Sequence, residues 1–151
     1  MISMNLSNFD ALPIKIKDID CNHNALNVVP KFCSVILEIN NNISMNDFIS
    51  YIKSFISNYS FEIDIYKISE QEIKLTSHGV QAHGAHPDLG LNAISQLLVA
   101  TSEILSHYDV SVELFDFFNK YIGNKYDGKS LGINFEDESG KLTLNVGHFN
   151  L

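Results

Sequence analysis

At 151 residues, with 45% hydrophobic and 19% charged side chains, the chain has the size and make-up of one globular domain able to bury about two-thirds of its unfolded surface. Ten lysines, no arginine and 18 acidic residues leave a formal charge of -8, which excludes a nucleic-acid binder, because such affinity rests on cations that neutralise phosphates. No apolar run approaches the roughly 20 residues that span a bilayer, and Met1–Asp10 lacks the basic and apolar regions of a signal peptide, so the expectation is a cytoplasmic chain with no membrane partner.

Residues 1–13 are polar, end at Pro13 and read as a leader, with a single domain over 14–151. Ile14-Lys15-Ile16-Lys17-Asp18-Ile19 alternates like a half-buried strand. A turn-rich bend from Cys21 to Pro30 leads into Val35-Ile36-Leu37-Glu38-Ile39, whose β-branched residues favour a sheet. Cys21 and Cys33 are too few for a disulfide scaffold and too far apart for a zinc knuckle, so two reduced thiols are expected. After a turn at Asn40–Asn42, Ser44 is a good N-cap, and Phe48, Ile52, Phe55, Ile56 and Tyr59 recur on one helical face. Phe61–Ile65 alternates, Ser69-Glu70 turns, and Ile73 and Leu75 alternate with Glu72 and Lys74, which predicts a hairpin.

The hairpin feeds Gly79-Val80-Gln81-Ala82-His83-Gly84-Ala85-His86-Pro87-Asp88-Leu89-Gly90-Leu91-Asn92-Ala93, where glycines, histidines and a proline crowd the entrance of a long apolar helix. From Asp88, read as its N-cap, that helix uses Leu91, Ile94, Leu97, Leu98, Ile104 and Leu105 to present one face to the sheet. A further helix after Asp109 uses Leu114, Phe115, Phe118, Tyr121 and Ile122 and stops at Gly123, with Phe117 and Phe118 expected in the core. Gly132–Gly147 reads as strand, acidic turn at Ser139-Gly140, and strand. The resulting order, β-β-α-β-β-α-α-β-β, predicts an α+β fold: a mainly antiparallel sheet with two or three helices packed on one face and a ferredoxin-like βαββα core.

His78, His83 and His86 invite a metal reading, but no cysteine or carboxylate stands at a companion spacing, and no metal site is expected in this chain. His86-Pro87-Asp88 has the His-x-Asp form of dinuclear zinc hydrolases; without a Glu-Glu pair anywhere, the match reads as accidental. His83 is either a histidine satisfied by backbone at a strand end or an electrophile that donates a hydrogen bond to a developing oxyanion. Asn27 is either a turn residue or an amide facing a substrate. Serine and cysteine nucleophile motifs and phosphate-cradling glycine loops are missing.

Ala82-His83-Gly84-Ala85-His86-Pro87-Asp88-Leu89-Gly90-Leu91-Asn92-Ala93 resembles the A-H-G-x-x-P-x-x-G-x-N-A segment in the lid domain of the PepV-like dipeptidases, zinc metallopeptidases grouped with carboxypeptidase G, aminoacylase and carnosinase. Asn27-Val28-Val29-Pro30 resembles their N-x-V-P turn, although Lys31 follows where an acidic residue is usual. Asp137-Glu138-Ser139-Gly140-Lys141-Leu142-Thr143-Leu144-Asn145-Val146-Gly147 resembles their D-x-x-G-x-L-T-x-N-x-G segment. The resemblance implies a lid or dimerisation-type domain that closes over the catalytic domain of the same polypeptide. There, two zinc ions and a general-base glutamate act on a dipeptide or short peptide. It implies that His83 polarises the substrate carbonyl and stabilises the tetrahedral intermediate, that Asn27 lies near the substrate, and that the chain is inactive alone. The lid arginine of that family would lie beyond the last residue of this chain. The alternatives are a stand-alone α+β module for a protein or small-molecule partner, and a homodimerisation unit.

Overall fold

A computed structural model describes residues 12–21 and 25–150. The expected leader thus lies outside the described residues except for Leu12 and Pro13, as do Asn22, His23 and Asn24 of the first bend. The chain runs β1 (Ile14–Asp20), β2 (Phe32–Ile39), α1 (Met45–Tyr59), β3 (Ile63–Lys67), β4 (Glu72–His78), α2 (Ala93–His107) and α3 (Glu113–Tyr121), then a minimal hairpin of β5 (Glu136–Asp137) and β6 (Gly140–Lys141). The first four strands form one antiparallel sheet in the order β1-β2-β4-β3. The fold is α+β, and β2-α1-β3-β4-α2 is the βαββα unit at its centre: α1 carries the chain over β4's position, and β4 returns between β2 and β3.

Strand alternation decides which sheet face is covered. The register pairs Cys33 with Ser77, Val35 with Leu75 and Leu37 with Ile73, all buried on the face over which α2 lies. The opposite face carries Lys15, Lys17 and Glu38, with Lys17 Nζ donating to Glu38 Oε2 at 2.8 Å. Each fully buried Leu, Ile or Phe is worth roughly 1.5–3 kcal/mol, so Phe48 and Ile52 of α1, Phe115 of α3 and the α2 leucines tie the helices to this layer.

The caps explain where the helices begin. Ser44 Oγ accepts from Asp47 N–H, as its position predicts. Asp88 does not cap α2: Pro87–Leu89 forms a separate 3-10 turn, and Asn92 is the N-cap, its Oδ1 accepting from Ser95 N–H at 3.0 Å. Gly90 and Leu91 between them are extended and bridged rather than helical, since Leu91 exchanges two backbone hydrogen bonds with Val80. Nor does α2 show only one face. It is buried nearly all round, including Ser95, Gln96, Thr101 and Ser102, because α3 and α1 pack on the sides left by the sheet.

Three further expectations are corrected. Phe117 is half-exposed although Phe118 is buried, for only the Phe115 and Phe118 side of the short α3 meets α2. The two strands expected over 132–147 shrink to β5 and β6. Beyond them the extended tail bonds one residue at a time, Leu142 N–H to Phe135 O and Leu144 N–H to Tyr126 O. Cys21 and Cys33 are joined as a disulfide, with Cα atoms 4.3 Å apart and both side chains buried. They stand one step past the Asp20–Ser34 pair, so antiparallel pairing brings together residues that look distant along the chain.

Candidate functional site

Beyond β4 the chain passes through a crossing that only glycine permits. A Cβ on Gly79 would sit 2.1 Å from Leu91 O and 2.6 Å from Pro30 O. The backbones are stitched there by Gly79 N–H to Lys31 O and Ala93 N–H to Pro30 O, both 2.9 Å, so the Pro30 turn, the end of β4 and the start of α2 are locked together. Gln96 of α2 completes the junction: its Nε2 donates to His78 O at 3.0 Å and its Oε1 accepts from Glu62 N–H at 3.1 Å. A buried amide satisfied at both ends is what the low-dielectric interior requires.

Past this junction His83 lies against the Asn27 turn. Val28 and His83 form an antiparallel bridge, flanked by Val29 N–H to Ala82 O and Gly84 N–H to Asn27 O, each 2.8 Å. The two sequence-predicted site residues are therefore neighbours, although they stand 56 positions apart along the chain. Both are exposed.

The loop also sets the orientation of the imidazole. Ala85 N–H donates to His83 Nδ1 at 3.1 Å. A nitrogen that accepts carries no proton, so in the neutral ring the proton sits on Nε2, which is then a hydrogen-bond donor. His83 O accepts from His86 N–H at 2.8 Å, which fixes the following turn. His86 itself begins the Pro87–Leu89 turn, its ring 6.3 Å from that of His83. His78 is engaged elsewhere, with Nε2 2.9 Å from Asp64 Oδ2 and its ring edge-on to Phe32.

Among the described residues no group of three His, Cys, Asp or Glu side chains is placed to hold a metal ion. The His83 nitrogen nearest its own loop is already used, and His78 is turned to a carboxylate on the outer sheet face.

The third sequence segment enters here through Asn145, a residue whose role cannot be read from local pattern. Asn145 Nδ2 donates to Val28 O at 2.9 Å, and its Oδ1 accepts from Asn92 Nδ2 at 3.0 Å. Gly147 lets the tail continue past the same turn, where a Cβ would lie 2.7 Å from Leu26 O. The side-chain amides gave no periodic signal; only their place in the quoted segments marked them. Behind them lies a cleft of about 130 Å³ between Pro87, Asn92, Lys125, Tyr126 and Asn145.

No family model matches the chain. It is similar to a protein of Staphylococcus haemolyticus (strain JCSC1435) named "Putative dipeptidase", 29% identical over 122 residues. The similarity covers 80% of this chain and 25% of that protein, so the chain spans about a quarter of the length of the relative it matches. The relationship is dipeptidase-like. Among the described residues, no helix is long and apolar enough to cross a membrane.

Proposed function

We propose that the chain is the lid portion of a dipeptidase-type metallopeptidase, in which His83 supplies a hydrogen bond to the oxyanion that forms when a peptide carbonyl is attacked. The observation that carries this reading is the Ala85 N–H to His83 Nδ1 bond, which leaves Nε2–H as the donor. The backbone bonds that bracket His83 against Asn27 support it, because a donor helps catalysis most when its position is already set before reaction. The similarity to the dipeptidase-named staphylococcal protein supports the reaction class.

In this reading the two zinc ions and the activated water belong to a catalytic domain of the same polypeptide, and the residues here contribute positioning, donation and exclusion of water. His83 is exposed in the chain as described. In water such a hydrogen bond competes with solvent and is worth little; against a closed, dry site it is worth about 3–4 kcal/mol. Asn27, beside it, would present its amide to the short peptide.

The test is His83→Ala in a polypeptide that joins this chain to its zinc domain. The expected result is a loss of about 10²–10³ in kcat, with zinc content unchanged by metal analysis. An undiminished kcat removes the role. The purified 151-residue chain should not hydrolyse dipeptides even with added zinc; zinc-dependent turnover by it would overturn the lid assignment.

A further inference from the structure

Asn92 and Asn145 are 53 positions apart, yet together they use both ends of two carboxamides. Asn92 Oδ1 caps α2 by accepting from Ser95 N–H. Asn92 Nδ2 donates to Asn145 Oδ1 and to Val146 O, both at 3.0 Å. Asn145 Nδ2 then donates to Val28 O at 2.9 Å, and Val28 is the residue bridged to His83. A directed series of hydrogen bonds therefore runs from the most deeply buried helix to the loop that carries the exposed imidazole. Carboxamides suit both positions because each must accept on one side and donate on the other, which a carboxylate cannot do. The contacts are partly buried, so water does not fully replace one that is lost.

We infer that Asn92 and Asn145 are positioning residues for His83, a latch that transmits the rigidity of α2 to the Val28–His83 bridge and thereby holds Nε2–H in one direction. Its catalytic meaning rests on the reading of His83 given above, whereas its structural content does not. A tail that only covered the core would need apolar contacts. The tail has these, with Val146 and Phe149 packed against the core, but Asn145 in addition spends both ends of its amide on the helix cap and on the backbone of the turn.

Two nearly isosteric variants separate this latch from simple capping. Asn92→Asp keeps the oxygen that caps α2 but removes both donations to the tail. Asn145→Asp keeps the acceptor for Asn92 and removes the donation to Val28. By NMR on the 151-residue chain, both variants should speed amide exchange at Val29 and Gly84 about tenfold. They should also shift the His83 ring nitrogens away from the pure Nε2–H pattern while the β2–β4 ladder amides stay protected. Unchanged exchange and ring shifts in both variants would overturn the latch, and so would a matching loss of protection in the ladder, which would mean a general packing role. Where a variant fails to fold, the unaltered chain decides: a coupling across the hydrogen bond between Asn145 Nδ2 and the Val28 carbonyl is expected, and its absence sinks the inference. None of these measurements involves hydrolysis, so they stand or fall separately from the lid reading. In a polypeptide where His83→Ala lowers kcat, Asn92→Asp should lower kcat with KM held. An unaltered kcat there would remove the catalytic part.

Discussion

His83 has one free ring nitrogen because the backbone two residues ahead has taken the other. That single bond converts a flexible, two-faced side chain into a donor with a direction, and it is made by the glycine-softened turn rather than by any other side chain. Gly79 works at the same scale. Its missing Cβ is a condition for the crossing of three backbones, since the clash would be with carbonyl oxygens and a backbone nitrogen, none of which can rotate away. Gly79→Ala should therefore destabilise the chain by about 3 kcal/mol in denaturant titration, at the upper end for overpacking. A loss under about 0.5 kcal/mol, the range of an ordinary surface change, would show that the crossing is looser than described.

At the scale of elements, α2 is the support on which the site is built. Its cap grips the tail, and Gln96 joins its first turns to the end of β4 and the start of the β3 strand region. Gln96→Leu would fill the same space but leave Glu62 N–H and His78 O without their partner. A loss of about 2–3 kcal/mol is expected, with His83 drifting in NMR shift because His78 leads directly into its loop. The other side of the helix layer holds Tyr51 and Tyr108. Burial raises both phenols above their ordinary value, with the negative charge of Glu103 adding to the rise for Tyr51 and that of Asp47 for Tyr108. A raised folded-state value means that the unfolded chain loses its protons first as pH climbs. The contribution is thus complete below the unfolded value near 10 and is lost as pH rises through the folded one. Unfolding followed against pH, with phenolate absorbance as the local probe, should show stability falling only in that alkaline window. A fall between pH 7 and 9 would point to other groups.

At the scale of the whole molecule, the disulfide and the hydrogen-bonded tail close the fold around the same bend. Cys21 and Cys33 pin the two ends of the segment that carries Asn27 and Val28, and Asn145 holds its middle. Closing a loop of this length restrains the unfolded chain by about 3 kcal/mol in the entropic account. Both thiols should resist alkylation until a reductant is added, and reduction should lower stability by up to that amount. Ready alkylation of the untreated folded chain would refute the pairing. The proposed lid role belongs to this scale too, because in that proposal His83 would act only against a second surface.

Local pattern in the sequence determined the α+β class, the β1 to β4 strands, α1 with its Ser44 cap, and the end of α3 at Gly123. Each of these follows from side-chain periodicity, cap chemistry or a turn residue acting within a few positions. The resembling segments also marked His83 and Asn27, although nothing local could show that their backbone stretches run side by side. Tertiary structure alone decided what depends on distant partners. It moved the α2 cap from Asp88 to Asn92, because Val80 holds Leu91 extended. It paired Cys21 with Cys33 through the β1–β2 register, turned Phe117 outward, and reduced the tail strands to single hydrogen bonds. It also set Asn145 between α2 and the Val28 turn, a contact spanning 117 positions. Periodicity reports the solvent on either side of an element, whereas these outcomes depend on which backbone group lies within hydrogen-bonding reach once the layers have packed.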